Sequence, residues 1–120
     1  MLPLKPDYKS TILVWDTEAS FGLTSLRIDF IDYAKADITV KYVTKVNWFI
    51  GIGVTIQKFI GVNGTKCYLA CVSYYILFAN FRLFSPQTYH QMRSGYSSVH
   101  GNHITVHLKE YDIKINIDSK

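Results

Sequence analysis

Apolar and polar residues alternate with a period of two over much of this chain. Ile38-Thr39-Val40-Lys41-Tyr42-Val43 places every second side chain on an apolar face, and the same alternation returns over residues 103–108 and 111–117. A period of two sends successive side chains to opposite faces of an extended backbone, so each segment predicts a half-buried strand and the last two a terminal hairpin. Residues 10–15 read as a further strand with residues 16–20 as its exit loop. Residues 48–59 predict a flexible bend at Ile50-Gly51-Ile52-Gly53 that runs into a strand. Asn63-Gly64 lies between two apolar runs and predicts a two-residue hairpin turn, because both turn positions favour positive φ. Its second arm, residues 65–72, continues into an apolar stretch ending at Arg82-Leu83-Phe84-Ser85-Pro86. Ser85 as N-cap and Pro86 at the first helical position open a short helix reaching Met92. Residues 21–33 are mixed, a short helix or a loop, and residues 94–98 read as a loop. The layout is roughly seven strands and one or two short helices.

Composition agrees with a mainly β class. Nine Tyr and seven Phe, with many Val, Ile and Thr, favour strands over helices. A chain of 120 residues supports one core, so residues 1–120 are read as a single domain with a lead segment at 1–9. Thirteen Lys and Arg against nine Asp and Glu give a net charge of +4, but the basic residues are scattered singly. Phosphate binding needs a concentrated basic face, so no direct nucleic-acid binding is expected. Cys67 and Cys71 share one apolar stretch and are too far apart to bridge within a strand, which predicts free thiols in a reducing compartment. No basic start followed by an apolar core opens the chain, so a cytoplasmic, intracellular location is expected. The Asn63-Gly64-Thr65 glycosylation pattern then carries no weight. The uncharged run at residues 67–81 is bounded by Lys66 and Arg82 and is shorter than the roughly 20 residues a membrane helix needs, so no membrane partner is expected.

The chemistry concentrates at Val14-Trp15-Asp16-Thr17-Glu18-Ala19-Ser20. An apolar strand that delivers Asp-Thr into a small-residue turn is a way of presenting a carboxylate for acid–base work. Aspartic proteolysis needs two carboxylates sharing one proton, one acting as base toward water and the other as acid toward the carbonyl. One Asp-Thr turn supplies a single carboxylate, so a twofold homodimer with Asp16 of each copy at the axis completes the pair.

With these residues the chain resembles the retropepsin-like proteases of copia-class long-terminal-repeat retrotransposons. The resemblance runs from residues 12–24 through the Ile-Gly-Ile-Gly segment and residues 68–74 to residues 82–89, where Leu83-Phe84-Ser85 is similar to the family's apolar-apolar-small strand beside the catalytic loop. It implies a small closed β-barrel subunit whose homodimer cuts the element's own polyprotein, with no cofactor or metal. Asp16 would polarise the water, Thr17 would brace the two loops across the axis, and Ile50, Gly51, Ile52 and Gly53 would belong to the flap over the polypeptide substrate.

Two positions depart from the family pattern. Glu18 stands where the motif has glycine, adding bulk and a charge. At about 5 Å and an effective dielectric of about 20, a second carboxylate costs on the order of 3 kcal/mol against an ionised dyad. Residues 75–81 are apolar where the family tends to a proline-bearing polar turn. Alternative readings are therefore a non-catalytic remnant of the protease fold, inactivated at Glu18, and a small β binding module. Other sites are poorer. His103 and His107 share a strand face but lie roughly 13 Å apart, too far for one ion. Ser20, Ser73 and Cys71 have no recognisable base, and no glycine-rich phosphate loop occurs.

Overall fold

The computed structural model describes residues 2–3, 12–42, 45–77 and 79–117, with side chains for residues 12–35, 51–77 and 79–117. Its elements in chain order are β1 (Leu2–Pro3), β2 (Leu13–Trp15), β3 (Gly22–Thr24), a 3-10 turn (Arg27–Asp29), β4 (Phe30–Tyr42), β5 (Lys45–Ile60), β6 (Lys66–Tyr75), β7 (Arg82–Phe84), α1 (Pro86–Met92), β8 (Tyr96–Val99), β9 (His103–His107) and β10 (Asp112–Asn116). Strands dominate, as the alternation and the β-branched and aromatic composition require. Seven of them form one sheet in the order β1-β2-β7-β3-β6-β5-β4, and β10-β9-β8 form a second. The larger sheet ends at β1 on one side and β4 on the other. It is thus an open sheet among the described residues, where a closed barrel was expected.

The core lies between the larger sheet, α1 and the smaller sheet. Trp15 and Phe84 stack with ring centroids 5.1 Å apart, and Phe59 meets both edge-on. Leu69, Cys71, Ile104, Val106 and Ile115 pack around them, so the alternating faces of β6, β9 and β10 are buried in one cluster. The smaller sheet is also tied to the β5–β6 loop, where Val62 N–H donates to Lys114 O at 3.1 Å and Asn116 Nδ2 donates to Gly61 O at 3.1 Å.

Several elements differ from the pattern's expectation. Residues 50–53 form no bend; they are interior to β5, and Gly51, Ile52 and Gly53 pair with β4 on one side and β6 on the other. The expected strand at residues 38–43 begins earlier, at Phe30, and Val43 lies outside the described residues. The Asn63-Gly64 connection is wider than two residues. Ile60 still pairs with Lys66, Gly61 N–H donates to Thr65 O, and Gly64 alone of the loop glycines takes a positive φ, +83°. The apolar turn after Tyr75 has its compensation in a second cluster, where Ile76 and Ala79 are buried with Leu23 against Tyr74, Phe81 and Leu83. A loop is expected at residues 94–98, but Tyr96–Val99 form β8. Ser85 and Pro86 start α1 as predicted, the Ser85 hydroxyl accepting from Thr88 N–H at 3.2 Å.

Candidate active site

Asp16 follows immediately after β2, and its position is fixed from two directions. β2 runs parallel to β7, with Trp15 opposite Phe84, while β7 pairs antiparallel with β3 at Leu83 and Leu23. The strand that carries Asp16 is thereby clasped to a strand nearly seventy residues later. The Asp16 N–H continues the ladder by donating to Phe84 O at 3.1 Å. Its Oδ1 accepts from Glu18 N–H at 3.1 Å, and Ala19 N–H donates to Asp16 O at 3.3 Å, which closes the chain into a tight turn. Ser85 ties the far side, its Oγ donating to Ala19 O at 2.7 Å. Asp16 is half-buried, while Thr17 and Glu18 are exposed. The Glu18 side chain therefore faces solvent instead of filling the turn.

The apolar-apolar-small element does run beside the Asp16 loop, through the Phe84 and Ser85 contacts. The close packing at this junction depends on Gly22, where an added Cβ would stand 2.3 Å from Ser73 Oγ, 2.5 Å from Cys71 Sγ and 2.8 Å from Leu83 O. The Ile50-Gly51-Ile52-Gly53 segment is placed elsewhere in the sheet. Three strands, β7, β3 and β6, lie between β2 and β5, so one subunit does not join it to Asp16 through neighbouring strands. Its glycines have a local explanation. A Cβ on Gly53 would stand 1.8 Å from Asp32 O, and one on Gly51 would meet the Tyr33 ring at 2.3 Å. Both lie beside irregularities in the β4–β5 register, between Phe30 and Asp32 and between Lys35 and Ile38. Ile50 carries a described backbone only.

Elsewhere in the larger sheet is a buried polar network that the sequence did not single out. Arg82 is fully buried and its Nη1 donates to Gln57 Oε1 at 2.8 Å. Gln57 Nε2 donates to Asp29 Oδ2 at 3.2 Å, and the Thr24 hydroxyl donates to the same oxygen at 2.7 Å. The network joins β3, the 3-10 turn, β5 and β7, the strands that flank and follow the clasp. The available signal in the sequence is a cation at a position that alternation along β7 makes inward-facing.

A second convergence of polar side chains occupies the outer face of β8–β10. Tyr96 and Asp112 are the cross-strand partners of His107, and Ser98 lies diagonally across from it. Ser98 Oγ is 2.9 Å from His107 Nε2 and 3.1 Å from His100 Nε2. His107 Nδ1 is 3.3 Å from Asp112 Oδ1, and Tyr96 stacks on the imidazole with centroids 4.4 Å apart. No sequence spacing marks this set, because cross-strand register, not distance along the chain, brings it together. His103 stacks on His100 at 4.6 Å, and among the described residues no three His, Cys, Asp or Glu side chains converge as a metal site requires. Cys67 and Cys71 are both free, and burial raises the Cys67 thiol above its ordinary pKa. Among the described residues no helix is long and apolar enough to cross a membrane. No protein-family model, curated protein or solved structure matches the chain.

Proposed function

We propose that this chain is the subunit of a retropepsin-like aspartic endopeptidase that acts as a homodimer on a retroelement polyprotein inside the cell. The observation that carries the reading is the clasp at Asp16: a parallel β2–β7 pair, extended by the Asp16 N–H to Phe84 O bond, ends in a half-exposed carboxylate on a short turn. In the dimer the two Asp16 carboxylates share one proton. The ionised one takes a proton from water as the oxygen attacks the peptide carbonyl, and the protonated one donates to the carbonyl oxygen. Thr17 braces one loop against the other. The closed barrel expected of the family requires the edges beyond β1 and β4 to be covered in the assembled enzyme. The covering flap is drawn from the paired strands β4 and β5, whose arms extend to Tyr42 and Lys45. Ile50, Gly51, Ile52 and Gly53 then form the base of the flap and set its angle.

Glu18 favours one second reading, a remnant that keeps the fold and has lost the chemistry. Its exposed side chain leaves Asp16 unobstructed in one subunit, but twofold pairing brings two copies of the charge to the same axis. Peptide cleavage at mildly acidic pH separates the readings. The enzyme predicts pepstatin-sensitive cleavage that Asp16→Asn abolishes. The remnant predicts cleavage only after Glu18→Gly. Cleavage that survives Asp16→Asn, or none in either the wild type or the glycine variant, sinks the protease reading.

A further inference from the structure

We propose that Ser98, His107 and Asp112 form a separate nucleophilic serine centre on the outer face of the C-terminal sheet, able to accept short acyl esters. Its atoms are those of β8, β9 and β10 and include none from the Asp16 loop.

The proton inventory fixes the roles. Asp112 Oδ1 lies within ion-pair distance of His107 Nδ1, 3.3 Å, and because a carboxylate can only accept, the proposal assigns the neutral imidazole's proton to Nδ1. His107 Nε2 is then the acceptor, and the partner 2.9 Å away is the Ser98 hydroxyl. Ser98 has one proton to give, so the contact at 3.1 Å must run the other way, with His100 Nε2–H donating to Ser98 Oγ. The arrangement is acid, imidazole and hydroxyl in series, with a second imidazole donor aimed at the nucleophilic oxygen. Such a series is the general requirement for activating a serine.

The surroundings hold this geometry. Tyr96 stacks on one face of His107, with planes 22° apart, and blocks ring rotation. His103 does the same for His100, with planes 16° apart. β8 is the edge strand of its sheet. His100 N–H donates to His103 O at 2.8 Å, so by the two-residue alternation of an antiparallel ladder the Ser98 N–H turns inward and the Val99 N–H turns out from the edge. The amide following the nucleophile is thus turned away from the ladder, toward the open edge.

The reaction balances with water alone. Ser98 Oγ bonds to the acyl carbon as its proton passes to His107 Nε2. The adduct collapses by breaking the bond to the leaving alcohol oxygen, which takes that proton. Water then attacks the acyl-serine in the same way, releasing the carboxylic acid and restoring Ser98. Asp112 touches no reacting atom and is a positioning residue.

The test is covalent labelling of the whole chain with an alkyl phosphonofluoridate at pH 8, read by intact mass and peptide mapping. Formation of the Ser98 O–P bond expels fluoride, and His107 takes the proton. One adduct on Ser98 is expected, absent in Ser98→Ala, slowed about 100-fold in His107→Gln, and formed at the wild-type rate in Asp16→Asn, which keeps this outcome independent of the protease reading. Ser98 and His107 lie outside the core, and matching far-ultraviolet circular dichroism establishes that each variant is folded. Asp112→Asn should slow labelling and, in ¹⁵N spectra, move His107 from the Nδ1–H form to a tautomer mixture, which a purely structural carboxylate would not do. No adduct on Ser98, an equal adduct in Ser98→Ala, or an unchanged rate in a folded His107→Gln variant overturns the proposal.

Discussion

At the scale of single residues, burial decides what each polar group is worth. Arg82 and Asp29 are both almost wholly inaccessible and are linked through Gln57. Removing one charge from such a set leaves the other buried against the neutral Gln57 amide, so Arg82→Met should cost about 3–5 kcal/mol by denaturant unfolding. Adding Asp29→Asn to that variant should recover part of the loss, because the stranded charge is then gone. His90 gives a pH dependence. Burial holds its pKa below the ordinary value, against a weaker opposing influence of the Arg93 backbone, while its Nε2 meets Ser97 Oγ at 2.7 Å. The unfolded chain therefore binds more protons than the folded one as pH falls through about 6.5. Stability should be complete above that pH, decline below it, and level off once the folded imidazole also protonates. Urea midpoints at pH 7.5 and 5.5 should differ less in His90→Gln than in the wild type.

Among the elements, the long β4–β5 hairpin rests on two glycines that differ in what confines them. At Gly53 an added methyl meets backbone, Asp32 O at 1.8 Å and Tyr33 Cα at 2.9 Å. Backbone cannot step aside without breaking the ladder, so Gly53→Ala should cost about 1–3 kcal/mol. At Gly51 the obstacle is the outer end of the Tyr33 ring, which can swing away from its stack beneath the Arg27 guanidinium, 4.1 Å from the ring centroid. Gly51→Ala should therefore be the milder change, and chemical unfolding of the pair measures the difference. The hairpin also illustrates how far a local pattern reaches. Ile38-Thr39-Val40-Lys41-Tyr42 was legible as a strand, but the Ile-Gly-Ile-Gly run suggested a bend, since glycine is a poor strand former in isolation. Partners on both sides, β4 and β6, supply the ladder that the residues alone do not.

For the whole molecule, the proposed protease reading sets a dimer at Asp16 against the charge that Glu18 would bring to its axis. Two exposed carboxylates facing each other repel through solvent, and salt screens that repulsion with a Debye length of about 10 Å at 0.1 M. The wild-type self-association constant should therefore rise with added salt. In Glu18→Gln it should be larger at low salt and should depend on salt much less. Sedimentation equilibrium across an ionic-strength series checks both. A monomer insensitive to salt in either form would remove the basis for a twofold at Asp16. The proposed serine centre on the C-terminal sheet would be unaffected, since its residues lie within one subunit.

The sequence by itself determined the mainly β class, the Ser85-Pro86 helix start, the terminal β9–β10 hairpin and the Asp-Thr turn at the end of an apolar strand. Each rests on interactions between residues close together in the chain: side-chain alternation, a capping hydroxyl, a short polar turn. Only the tertiary structure decided that β2 pairs in parallel with β7, that residues 50–53 are strand interior, that the apolar turn after Tyr75 is buried, and that Arg82 and Asp29 share a network. It also decided the register that sets Ser98, His107 and Asp112 in series. Those features depend on pairings between segments distant in sequence, and a shift of one residue in any strand would turn its side chains to the opposite face.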